Sequence, residues 1–201
     1  MAFSRSITSL TAAALVAMGA AGSVGIASAA PAPGGPGAPS VWAPAQKSML
    51  GTSATDTSRV YFTGYRGIVS EVFWPIVDTV NTVDLQFLVT DTAKTFLDEE
   101  KQQSYTVTRP DSKALHYQAV TSNTGHNWRI TKKIFTDPGR DVLIQRVTFE
   151  ALNGRLAKDF NLYVLHNPSM DNSGANDTSK TLVSGGRTML VASQNSRASA
   201  V

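Results

Sequence analysis

The chain has 201 residues, 18 basic and 15 acidic side chains, and no cysteine. That composition excludes disulfides and a thiol-linked lipid anchor. A formal charge of +3 over this length leaves no basic stripe for nucleic acid, and Lys132-Lys133, the one adjacent basic pair, points to opposite faces of a strand. Arg5 followed by an apolar, Ala-rich run and the small-residue site Ala27-Ser28-Ala29 reads as a secretory signal over residues 1–29. Removing it takes away Arg5 and lowers the net charge to +2, with 17 basic residues against 15 acidic. Residues 30–40 are rich in Pro, Gly and Ala and read as a flexible segment. Residues 41–201 then form one β-domain.

No helical period of useful length appears in that domain. Short strand-like runs alternate with turn signals, the pattern of an antiparallel β-sandwich. Residues 59–63 form the first run. In residues 67–74, Ile68, Val72 and Trp74 share one face and Val69, Glu71 and Phe73 the other, so both sides are expected to be covered. Pro75 has no N–H to give a ladder and ends the pairing. Residues 84–90 alternate Leu85, Phe87 and Val89 against Gln86, Leu88 and Thr90. Asp98-Glu99-Glu100 reads as a solvated strand end. Runs at 104–109 and 114–121 are separated by Pro110-Asp111-Ser112.

Two hairpins stand out. Residues 127–135 turn through Asp137-Pro138-Gly139 into 141–150, and Asn153-Gly154 turns that strand into 159–165. Residues 167–180 read as a polar loop and 188–192 as a last short run. Residues 193–201 carry no closing turn, so the sandwich is expected to be incomplete at its C-terminus, with an unpaired edge and exposed apolar surface.

The ordered series Trp42-Ala43-Pro44-Ala45, Lys47, Gly51-Thr52-Ser53, Gly67-Ile68, Glu71-Val72, Pro75, Val77-Asp78-Thr79, the stretch Asp84 to Asp91, Asp98-Glu99-Glu100, Arg129-Ile130-Thr131-Lys132, Thr136-Asp137-Pro138, Tyr163-Val164-Leu165 and Asn172-Ser173-Gly174 resembles a known domain. It is similar to the N-terminal domain of bacterial glucoamylases and glucodextranases, glycoside hydrolase family 15. The resemblance covers nearly all of the chain after the signal and implies a fold of the supersandwich type. It also implies a parent enzyme whose helical (α/α)-barrel carries both catalytic glutamates and releases glucose, with inversion, from the non-reducing ends of α-linked glucans. No position here matches those glutamates, so no catalytic residue is expected in this chain, and no cofactor.

The resemblance further implies that Glu71, Trp74 and Asp78 help dock the barrel. Ile76 and Val83 stand where the family often carries Arg. A sugar-cleaving reading of this chain alone would choose Glu71 with Asp78, Asp84 or Asp91; turn, cap and interface roles fit those carboxylates better. Trp42, Trp74 and Tyr65 could offer stacking platforms to sugars, with packing the commoner use of such rings. His116, His126 and His166 have no metal-ligand spacing, and Asp171-Asn172-Ser173-Gly174 has too few acids for a calcium loop. The expected partners are the barrel and, through it, an α-glucan such as starch or dextran. No nucleic acid is expected, and no membrane after signal cleavage. The rival readings are a free-standing carbohydrate-binding β-module and a non-functional gene fragment.

Overall fold

The computed structural model describes residues 45–201 except residue 175, together with the backbone of residues 13–17 and 30–31. The signal over residues 1–29 and the segment 30–40 lie outside the described residues apart from those two backbone stretches, and Trp42 lies outside them altogether.

The described residues are built almost wholly from strands. β1 (Ala13–Ala17) and β2 (Ala30–Pro31) come first. β3 (Met49–Thr52), β4 (Tyr61–Tyr65), β5 (Ile68–Phe73) and β6 (Val80–Asp91) follow as an antiparallel meander. β7 (Asp98–Glu99) passes through a 3-10 turn at Glu100–Gln102 into β8 (Ser104–Thr108) and β9 (Tyr117–Asn123). β10 (Trp128–Thr136) and β11 (Val142–Ala151) are the first predicted hairpin, whereas the second does not form: past Asn153-Gly154 the chain crosses to the opposing sheet, where β12 (Phe160–Pro168) pairs with β6. A 3-10 turn at Met170–Asn172 leads to β13 (Thr178–Ser184), β14 (Arg187–Gln194) and β15 (Arg197–Ala200).

Three sheets result: β1-β11-β10-β9-β8, then β12-β6-β5-β4-β3 with β7 beside β6, and the smaller β15-β14-β13-β2. The two larger sheets pack face to face through the apolar residues they turn inward. On β10, Trp128, Ile130 and Ile134 are fully buried while Arg129 and Lys133 are exposed. One core cluster joins Phe62, Val69, Val72 and Leu85 to Tyr117, Ala119, Ile134 and Leu143 of the opposing sheet. A second joins Phe87, Val89 and Phe160 to Trp128, Ile130 and Val147. Each such side chain taken from water contributes about 1.5–3 kcal/mol. The sandwich read from the sequence is therefore the one observed, including the double-sided burial of β5.

Two further expectations are overturned. Asp98-Glu99-Glu100 is not a solvated end. Glu100 is completely buried, and Asp98 is 7% exposed. Glu100 accepts hydrogen bonds from the Phe87 N–H and the Thr121 hydroxyl, and its Oε1 lies 2.6 Å from the Lys132 ammonium. Asp98 accepts from the Trp128 indole at 2.7 Å, and its Oδ2 lies 2.8 Å from His126 Nδ1. The acids are drawn inward because the opposing strand supplies donors that would otherwise be orphaned.

The C-terminal region also departs from its reading. Residues 178–184 are a strand, not the end of a loop, and residues 193–201 do contain a turn. Gly185 and Gly186, at φ of 56° and 74°, make the two-residue connection between β13 and β14, a conformation open to glycine without penalty. Asn195, at φ 53°, lies in the connection from β14 to β15, and Val201 exchanges two backbone hydrogen bonds with Leu190.

Candidate docking face

The segment singled out in the sequence follows β5 as a loop over residues 74–79, entered through a cis peptide between Trp74 and Pro75. The Trp74 N–H donates to the Thr79 carbonyl at 2.9 Å and the Thr79 N–H to the Ile76 carbonyl at 3.1 Å, so the loop closes on itself. Asn81 braces it from beneath by donating to the carbonyls of Trp74 and Thr79. Asn172, far away in sequence, accepts from the Val80 N–H and donates to the Asp78 carbonyl. These bonds hold the loop tip in one shape. At that tip Ile76 and Val77 are 55% and 56% exposed.

Of the three residues predicted to dock a partner, each has a different environment. Glu71 is buried on β5, its Oε2 2.8 Å from the Lys47 ammonium and hydrogen-bonded by the Thr63 hydroxyl. Trp74 is half-buried. Its indole N–H donates to Asp141 at 2.7 Å, and the Arg59 guanidinium stands 5.6 Å from its ring centre. Asp78 is exposed, and it is its backbone that is held. Thus Glu71 and Trp74 shape the face from within while the loop tip meets solvent. Val83, where the family often carries Arg, is buried in the core, whereas Ile76 stands outside. The surface offers apolar contact in place of a cation.

Beside the tip runs an apolar groove of about 420 Å³, lined by Leu50, Tyr61, Phe73, Val77 and Leu115. Leu50 and Leu115 are 60% and 40% exposed. Sequence reasoning missed Lys47, Arg59 and Asp141 as supports and Asn172 as the brace. Lys47 and Asn172 belong to the resembling series, but nothing in a linear sequence says which residues they meet.

Glu71, Asp84 and Asp91 are each held by a neighbouring side chain, Lys47, Lys101 and Thr95 in turn. Asp84 and Asp91 lie seven residues apart along β6, about 23 Å at strand rise. An inverting pair needs about 6.5–9.5 Å. Burial pushes the Asp84 carboxyl up, and Lys101, 2.7 Å away, works against that rise. Burial likewise acts to raise Glu99, but its bonds from Lys101 and Gln86 prevail and hold it below the usual carboxylate range. Asp91 is held low by the Thr95 hydroxyl, with the Thr95 N–H adding a second bond. Among the described residues no group of three or more His, Asp or Glu side chains is placed to hold a metal ion.

Comparison with known proteins agrees with this geometry. Residues 32–201 match the family model described as glucodextranase, domain N. The chain is 36% identical over 154 residues to a glucoamylase of Clostridium sp. (strain G0005), covering 77% of this chain and 22% of that protein. A crystal structure of a bacterial glucoamylase complexed with acarbose superposes with a TM-score of 0.76 and 33% identity, over 91% of this chain and 26% of that one. The chain thus spans about a quarter or less of the relatives it matches. A braced β-sandwich that matches this family model over residues 32–201, and part of two larger glucoamylases over most of its length, belongs to the glucodextranase domain N family.

Proposed function

We propose that this chain is the N-terminal β-domain of a secreted, glucoamylase-like enzyme that releases glucose with inversion from the ends of α-glucans, and that its work is to dock and steady a helical catalytic barrel. The observation that carries the reading is the loop tip: Ile76 and Val77 face solvent on a loop fixed by Asn81 and Asn172, beside the apolar groove at Leu50 and Leu115. Large apolar side chains held rigidly at a surface suit a partner. The matched relatives, of which this chain spans 22% and 26%, leave ample length for one.

The test is an Ile76→Asp, Val77→Asp double variant in a glucoamylase that carries this chain at its N-terminus. The expected result is separation of the two domains under limited proteolysis and a lower unfolding temperature for the barrel, while the isolated β-domain unfolds as before. Unchanged protease resistance of the double variant would sink the docking role.

A second reading, a carbohydrate-binding module, draws on one observation. Tyr105, 44% exposed, lies in a shallow polar cleft of about 350 Å³ with Ser104, Thr106, Arg129 and Glu150. An aromatic ring edged by hydrogen-bonding groups suits a sugar face. Retention of the isolated chain on insoluble starch, lost in Tyr105→Ala, would favour this reading.

A further inference from the structure

On the outer face of the β9-β10-β11 sheet lies a second pocket, of about 630 Å³, that adjoins the first groove at Thr52 and Leu115. Lys133 and Arg146 stand directly opposite each other across the β10–β11 ladder, and both side chains are exposed and line the pocket. Like charges so placed destabilise a sheet. Their other cross-strand neighbours, Gln118 beside Lys133 and Ala13 beside Arg146, carry no charge. Lys113 adds a third cation from the loop before β9. Among the described residues no carboxylate is within ion-pairing distance of these three cations. Residues 1–44 contain no Asp or Glu that could reach them.

The pocket also holds an unsatisfied polar atom. His116 lines it, with its ring edge-on to Phe135 at 5.7 Å, and its buried Nε2 has no hydrogen-bond partner. Buried polar nitrogens are nearly always partnered, so this orphan sets the wall apart from the rest of the sheet. Leu115 and Phe135 make the rest of the wall apolar. The volume falls within the range of small-molecule sites.

We propose that this pocket binds a small organic carboxylate, its head between Lys133 and Arg146 and its apolar body against Leu115 and Phe135. A carboxylate relieves the opposed cations, and Arg146 can meet it with two parallel N–H donors. The pocket adjoins the groove beside the Trp74 loop, sharing Thr52 and Leu115 with it, but its cations Lys113, Lys133 and Arg146 lie outside that groove, and their loss tests this site apart from the docking role.

The experiment is a titration of the full chain with hexanoate and, separately, with hexanol, which has the same apolar tail and no charge. It is followed by amide chemical shifts in nuclear magnetic resonance spectra. Hexanoate is expected to shift the amides of residues 113–118, 133–135 and 144–146 saturably, and hexanol to leave them still. Lys133→Gln with Arg146→Gln should weaken hexanoate at least tenfold, with its spectrum otherwise folded. Lys133→Gln alone, at an exposed position, should give an intermediate loss. Equal shifts from hexanol and hexanoate, or undiminished hexanoate binding by the double variant, would overturn the proposal.

Discussion

Lys132 Nζ and Glu100 Oε1 meet 2.6 Å apart, and neither side chain is exposed to solvent at all. On its strand Lys132 lies between Ile130 of one core cluster and Ile134 of the other, with the Phe87 ring 5.8 Å from its ammonium. The pair divides the interior of the sandwich. Two charges taken from water are costly, and the cost is met only while both remain. Lys132→Met should therefore lower stability by about 3–5 kcal/mol, because Glu100 is left buried and unpaired. Lys132→Met with Glu100→Gln should recover most of that loss. Urea unfolding of the isolated chain measures both, and a single-variant loss no larger than the double-variant loss would show that the charges are not coupled.

The second prediction concerns Trp74. Its indole bonds the Asp141 carboxylate, whose other oxygen takes the Arg59 N–H at 2.6 Å. Trp74→Phe keeps the ring and removes the donor, leaving Asp141 one partner short. A hydrogen bond to a charged group contributes about 1.5–3 kcal/mol, and the half-exposed position places the expected loss at the lower end. Asp141→Asn should cost a similar amount, and the two together less than their sum, since they share one bond. Strict additivity in the thermal unfolding of the three variants would contradict it.

How far the sequence could be read follows from where partners lie. The β10–β11 hairpin was legible because its alternation and its turn are adjacent in the chain, and Asp137 accepts the Gly139 N–H within that turn. The sandwich and the family were legible for the same reason, as strings of local patterns. Glu100 was not. An acidic triplet looks alike at a surface and under an opposing sheet, and its partner is 32 positions away. A signal was present all the same: Lys132 shares a strand face with Ile130 and Ile134, and an inward lysine requires an inward acid. β13 was missed because its residues are mostly polar and half-exposed, although Gly185-Gly186 marked a hairpin. At the candidate face, Glu71, Trp74 and Asp78 were named together, but only the structure separates the paired acid and braced indole from the apolar tip between them.

The third prediction tests close approach on β3. A Cβ at Gly51 would fall 2.0 Å from Phe62 Cε1 and 2.3 Å from Cζ. Phe62 is 1% exposed and meets the Tyr117 ring edge-on at 6.2 Å. Tyr117 in turn donates its hydroxyl to the Leu50 carbonyl at 2.7 Å. The ring has nowhere to move without breaking that contact. Gly51→Ala should cost about 1–3 kcal/mol, the usual range for overpacking a filled core. Wild-type stability for this variant would mean that the core can yield at Phe62.

The last prediction is a pH dependence centred on His166. Burial pushes its imidazole down from 6.5 to about 4, and Thr82 Oγ1 lies 3.0 Å from Nε2 on the neighbouring strand. Above pH 6.5 the ring is neutral whether the chain is folded or not. Between 6.5 and about 4 the unfolded chain takes up a proton that the folded chain refuses, so stability falls as pH drops through that window. Asp84 and Asp177 act with the opposite sign, because burial raises both and the folded chain binds their protons more readily. The His166 contribution is therefore read as a difference. His166→Asn, which keeps a polar group near Thr82 and cannot titrate, should flatten the loss of melting temperature between pH 7 and pH 5. The same slope in variant and wild type would place the acid sensitivity elsewhere in the sandwich.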